Sequence, residues 1–286
     1  MTTEYIHHYT DINTLALILK NKTIRFNRLD RVDDITEGNS FTTLKLEEFF
    51  FISCWTHDQN ESIPQWNMYL RDMAGVRISL PVRMFDYKPL IVPNEMKLIV
   101  SGGISPIPFD KIFDEDYMIQ PLFLNEKNFG RKVIYDDDFM ELKNKAIEFT
   151  IEQKGHAKGN ISDPIGIAAL KSPDWAFQKE FRFVLFITPA PPIPKDENYG
   201  DRLSKEFPDF VVNNLYQGKG PNIDFIDIDL NPTDINSIKI IAGPLCNEGD
   251  YLIIKSLIDK YAPSGIVEKS KFTGTIRKPL RNRKSP

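Results

Sequence analysis

The 286-residue chain is predicted to adopt an α+β fold. Segments with strand pattern outnumber those with helical pattern, and the two do not alternate regularly. Neither a Gly-x-Gly-x-x-Gly turn nor a Walker loop marks a nucleotide-binding βαβ unit. A hydrophobic content of 41% with 20 phenylalanines supplies a core suited to sheets. One domain over residues 1–270, followed by a basic tail over 271–286, is the expected organisation.

The elements follow in order. Tyr5 to Thr10 reads as an aromatic strand, and Asp11 then stands as N-cap of an amphipathic helix running to Lys22, with Leu15, Ile18 and Leu19 at helical spacing. Thr23 to Phe26 is a second strand. Residues 27–38 form an acidic turn with Asp30, Arg31, Asp33, Asp34 and Glu37; their spacing fits no calcium loop and suits a polar turn capping the next helix. Phe49 to Trp55 is a buried strand. Ser62 to Arg71 is a helix with Trp66, Tyr69 and Leu70 on one side, and Gly75 to Leu80 is a strand closed by Pro81. Prolines and glycines break residues 88–130 into loops with one or two strands, the clearest being Lys97 to Val100. Asp136 to Lys154 reads as a helix with acidic residues in its first turn. Phe181 to Ile187 is a strongly apolar strand, 189–194 a rigid proline connector, and 195–221 a polar surface insertion. Phe225 to Leu230 and Ile238 to Ala242 are strands, Glu248 to Tyr261 a helix, and Gly265 to Lys269 a strand.

Composition narrows the function. A net charge of −4 argues against a general nucleic-acid binder, although Arg277, Lys278, Arg281, Arg283 and Lys284 crowd the tail. No run reaches the roughly 18 apolar residues of a membrane span, and no leader pattern opens the chain. Cys54 and Cys246 are too few and too far apart for a disulfide scaffold or a metal site. A cytoplasmic, reducing setting without membrane or metal is the expectation. The Gly-x-Ser-x-Gly, His-Glu-x-x-His and Cys–His patterns of common hydrolases are missing.

Two clusters carry the chemistry. His8, two residues before Thr10 at a strand end beside a helix N-terminus, suits a hydroxylated or anionic small molecule; the alternative is a structural histidine bonded to backbone carbonyls. Around residue 180, strand alternation places Gln178, Glu180 and Arg182 on one face and Phe181, Phe183 and Leu185 on the other. The alternative there is a solvated edge strand with a Glu180–Arg182 charge pair. Trp66 and Tyr69 can stack on a planar ring, and equally fit a core.

In this order the pieces resemble a family of bacterial domains of unknown function. The likeness rests on the His8-Tyr9-Thr10 opening, the acidic turn Val32 to Glu37, Ser53-Cys54-Trp55-Thr56, Gln65-Trp66-Asn67-Met68-Tyr69 leading to Gly75 to Ile78, and Lys171, Trp175, Gln178, Glu180 and Arg182. It covers about the first two thirds of the chain in ordered pieces. The acidic turn lacks the family's proline, and Gln178 stands where a first Glu is commoner.

The layout is similar to the ADP-ribosyltransferase superfamily. That resemblance implies a split β-sandwich, with helices packed around it, that grips NAD as substrate. It implies catalysis by Glu180, Gln178 and His8: Glu180 would hydrogen-bond the nicotinamide-ribose 2′-hydroxyl and stabilise an oxocarbenium-like transition state, and Gln178 would orient the acceptor. His8 and Thr10 would hold ribose hydroxyls, with Tyr9, Ser53 and Arg182 at the NAD site and Trp66 or Tyr69 stacking on nicotinamide. The expected function is therefore an NAD-dependent ADP-ribosyltransferase, a toxin or defence effector that modifies nucleic acid or protein, with an antitoxin as a further partner. The alternatives are a non-catalytic module sensing NAD or ADP-ribose, and an interaction protein that docks a partner.

Overall fold

The fold is mixed α+β, with a large mixed sheet and several helices. A computed structural model describes residues 4–38, 41, 44–93, 103–151 and 157–277. The strands used below are β1 (Tyr5–Thr10), β2 (Thr23–Arg28), β3 (Phe50–Thr56), β4 (Val76–Pro81), β5 (Tyr117–Ile119), β6 (Gly130–Lys132), β7 (Ile147–Ile151), β8 (Ala157–Ile161), β9 (Glu180–Pro189), β10 (Phe225–Asp229), β11 (Lys239–Ala242) and β12 (Ile266–Lys269). The main helices are α1 (Ile12–Asn21), α2 (Ile63–Tyr69), α3 (Phe139–Lys145), α4 (Tyr199–Gln217) and α5 (Glu248–Tyr261). The chain divides into two compact units: Met1–Thr23, Trp55–Met84 and Leu230–Pro286 form the first, Ile24–Cys54 and Phe85–Asp229 the second.

In the first unit β1 pairs antiparallel with β4 along its whole length, from Tyr5 opposite Pro81 to Thr10 opposite Val76. β11 joins β4 antiparallel, and β12 joins β11 parallel. A parallel pair needs a crossover, and α5 supplies it. Asn247 and Asp250 start α5 with a reciprocal capping box. At α1, the Asp11 carboxylate accepts from the Thr14 amide at 2.7 Å, and Leu15, Ile18 and Leu19 are buried. Tyr9, Trp66 and Leu70 form a small core in which the Tyr9 and Trp66 rings meet edge to face at 4.7 Å.

In the second unit β9 lies between neighbours on both sides, pairing with β3, β5 and β6. β2 joins β3, and β10 joins β2. Both faces of β9 are covered. On one, Phe183 meets Phe85 at 4.8 Å and Phe129 at 5.2 Å, with Phe26 stacked on Phe129 at 6.1 Å. On the other, Val184 and Phe186 pack with Leu46, Phe49, Phe50 and Leu215. Gly130 lets β6 approach these rings, since a Cβ there would lie 2.8 Å from Phe183 and 2.9 Å from Phe181.

Three expectations change. The helix expected over Asp136 to Lys154 stops at Lys145, and β7 and β8 follow as an antiparallel pair, because Ile147, Phe149, Thr150 and Ile151 favour a pleated partner over a helix. The segment 195–221, expected as a polar surface insertion with no element of its own, holds the 19-residue α4, which buries Tyr199 and Leu215. Gln178 is not on a strand with Glu180 but ends the 3-10 turn Pro173–Gln178. The expected strand Lys97 to Val100 and the tail cations Lys278, Arg281, Arg283 and Lys284 lie outside the described residues. Among the described residues no helix is long and apolar enough to cross a membrane.

The Asp11 cap is local and testable. Asp11→Ala is expected to cost about 1 kcal/mol in urea unfolding, while Asp11→Asn keeps most of the stability.

Candidate functional site

The Glu180–Arg182 stripe is an interior ionic network, not a solvated edge. Glu37, Lys171, Gln178, Glu180 and Arg182 are each 5% exposed or less. Arg182 is its centre. Its Nε donates to Glu180 Oε1 at 2.7 Å, and its Nη1 donates to Glu37 Oε1 and to the Ala168 carbonyl, both at 2.5 Å. Lys171 Nζ donates to Gln178 Oε1 at 3.0 Å and lies 3.5 Å from Glu180 Oε2 and 3.4 Å from Glu37 Oε2. It also rests 4.7 Å above the half-buried Trp175 ring.

Each member is placed by its own element. Alternation along β9 turns Glu180 and Arg182 to one face. Lys171 is positioned by a parallel pairing of Leu170–Lys171 with Ile134–Tyr135, and the Tyr135 hydroxyl accepts from the Glu180 amide at 2.9 Å. Glu37 comes from the acidic turn. There Asp34 caps the one-turn helix Ile35–Gly38, accepting from the Thr36 amide at 3.0 Å and the Glu37 amide at 3.3 Å. The turn is thus the polar cap its spacing suggested, and no cluster of three or more metal-binding side chains occurs among the described residues. Lys179 joins Gln178 to Glu180 in the left-handed region, at φ 43°, a conformation that costs a non-glycine residue about 1 kcal/mol or more.

Charge follows from this geometry. Burial pushes the Glu180 carboxyl up, but Arg182 and Lys171 outweigh it and hold the group ionised at about 2. Burial works against Arg182 as well, yet Glu180 and Glu37 hold its charge more firmly than usual. The Cys54 thiol is raised by burial and by the Glu180 charge beside it, so it is no thiolate nucleophile. Lys143, buried between the Phe41 and Phe139 rings, falls to about 8 through burial, against the pull of Glu37.

Of the residues expected at an NAD site, Gln178, Glu180 and Arg182 meet in this network, and Ser53 is buried on β3 in the same unit. His8, Tyr9, Thr10, Trp66 and Tyr69 belong to the other unit. His8 is half-buried, its ring 5.2 Å from Trp55, while Thr10 is buried and Tyr69 exposed. Tyr9 and Trp66 are core residues: the Tyr9 hydroxyl accepts from the Ser62 amide at 3.0 Å, and Trp66 is fully buried with its Nε1 donating to Glu61 at 3.1 Å. Their rings pack edge to face against each other.

His7 belongs to no sequence motif, yet it sits at a buried polar junction. Its buried ring lies 2.8 Å from the Ser79 hydroxyl through Nδ1 and 3.2 Å from Gln59 Oε1 through Nε2. Burial first, and the Arg77 charge second, lower it to about 4, so it is neutral at pH 7. Arg77 donates to the Asp58 carbonyl at 2.8 Å and the Gln59 carbonyl at 3.1 Å, tying the same segment down. The signal was available: His7, Tyr9 and the facing Arg77 and Ser79 fall on one side of two alternating strands.

Comparison with protein-family models, curated proteins and solved structures finds no match to this chain.

Two outcomes are expected. Arg182→Met leaves Glu37 and Glu180 facing only Lys171 and should cost about 3–5 kcal/mol in urea unfolding. For His7, the folded value of about 4 lies below the unfolded 6.5, so the unfolded chain binds more protons between those pH values. Stability should fall as pH drops from 6.5 to 4, and His7→Gln should flatten that slope in thermal melts across the window.

Proposed function

We propose that the protein is an NAD-dependent ADP-ribosyltransferase, with Glu180 and Gln178 as its catalytic pair and a nucleic acid or protein as acceptor. The observation that carries this reading is the meeting of Glu37, Lys171, Gln178, Glu180 and Arg182, drawn from separate pieces of the family resemblance, in one network centred on Arg182 that fixes the Glu180 carboxylate. In the reaction the bond between the ribose carbon and the nicotinamide nitrogen breaks, and its electron pair leaves with nicotinamide. Positive charge grows on the ribose, and a fixed carboxylate stabilises it. An oxygen or nitrogen lone pair of the acceptor then forms the new bond and releases its proton. A carboxylate held at about 2 stays charged throughout the physiological range, as that role requires.

The same reading makes the chain a toxin or defence effector for which an antitoxin partner is proposed, with the cytoplasm as its place of action. A second reading draws on the burial of the network, with Glu37 at 0% and Arg182 at 1% exposure. In it the cluster is structural, and the protein binds NAD or ADP-ribose without turning it over.

Adenylate-labelled NAD offered with a mixture of cell RNA, DNA and protein separates the two. Label on one polymer class from the native protein, and none from Glu180→Gln, is the expected result. Glu180 is a bonded partner of Arg182, so the variant also loses stability, and its activity is scored per folded molecule by circular dichroism. Intact NAD throughout sinks the transferase reading.

A further inference from the structure

The Gln178 and Glu180 oxygens already hold a cation. Lys171 Nζ sits 3.0 Å from Gln178 Oε1, 3.5 Å from Glu180 Oε2 and 3.4 Å from Glu37 Oε2, and its fourth side is the Trp175 ring at 4.7 Å. Two carboxylates, an amide oxygen and an indole face make a seat for one positive charge. We propose that Lys171 is a resident occupant of this seat, and that the pyridinium ring of a nicotinamide nucleotide, the cationic part of an otherwise anionic ligand, engages Gln178 and Glu180 by displacing it. This rests on the transferase reading and names what stands in the way of its substrate.

The two cations of the network are held differently, and the difference says which one moves. Arg182 makes contacts of 2.5 Å to Glu37 and 2.7 Å to Glu180, in the planar fork that suits carboxylates. The Lys171 contacts to the same two carboxylates are about an ångström longer, and they hang on a flexible four-carbon stem. Lys171 is therefore the weaker-held ion, while Arg182 fixes the carboxylates in place. Beside it stands the half-buried Trp175, which is more exposed than the other members of the seat. The covering turn Pro173–Gln178 ends at Lys179, whose left-handed backbone at φ 43° gives that turn a strained joint to relax.

Charge balance agrees with exchange. Glu37 and Glu180 face Lys171 and Arg182, two charges of each sign. A ligand bringing one positive charge replaces the ammonium without leaving a buried charge unpaired. An occupant of this kind multiplies the intrinsic affinity by the fraction of time the seat stands empty.

Two measurements on the full chain test this. The first compares NAD cleavage by the native protein and by Lys171→Met, with folding read by circular dichroism. Loss of the occupant is expected to lower the KM for NAD about tenfold or more. An unchanged or raised KM in a folded, active variant overturns the proposal and leaves the transferase reading standing. The second needs no substitution: a brief pulse of an amine-acylating ester, with modification of Lys171 read by mass spectrometry, with and without saturating NAD. Severalfold faster labelling with NAD is expected; unchanged protection while equilibrium dialysis registers bound NAD overturns displacement. If native protein and variant neither bind nor cleave NAD, the transferase reading and the role of Lys171 fall together.

Discussion

A guanidinium cannot shed its charge, and at Arg182 the fold has taken one almost wholly out of water. Removing such an ion from solvent costs several kcal/mol unless every donor finds a strong acceptor. The surroundings of β9 are arranged to meet that demand. Glu180 is two residues away on the same strand face, Glu37 is brought from the acidic turn, and the Ala168 carbonyl completes the set. With those carboxylates fixed, Lys171 has a place to sit, and Gln178 has a partner. The geometry of the candidate site is thus a by-product of satisfying one buried cation.

The first unit solves the same problem by neutrality. His7 and Arg77 lie on one sheet face, and two positive charges there would repel. Burial and Arg77 together keep the imidazole uncharged, so it works as a hydrogen-bonding link between Ser79 and Gln59. Arg77 spends its charge on two backbone carbonyls. One unit therefore pairs its buried charges, and the other avoids making a second one.

What the sequence disclosed tracks how local each cause is. Asp11 and Asn247 announce their helices because a cap needs only the next few residues. The alternation that put Glu180 and Arg182 on one face is equally local, and it holds. It gives no hint whether that face meets water or core, because the covering Glu37 and Ala168 come from elsewhere in the chain. The strand at Ile147 is hidden for the same reason: its partner Ile161 lies further along the chain, and the acidic start at Asp136 to Asp138 mimics a helix. Trp66 and Tyr69 share helical spacing, yet one is buried and the other exposed, a distinction set by the approach of Tyr9.

The register of β4 carries a consequence for how the protein is made. β4 stands between β1 and β11, with Ile78 opposite His8 on one side and Ile240 on the other. The β1–β4 pair can form once residue 81 is synthesised, but the second edge of β4 stays unpaired while Phe85–Asp229, the larger part of the second unit, is translated. Contacts of such long sequence separation form late and slowly. Through that interval the ribosome-bound chain presents an open strand edge rich in Val76, Ile78 and Leu80, of the kind that recruits chaperones or aggregates. Pairing with β11 closes that edge only after residues 239–242 are made.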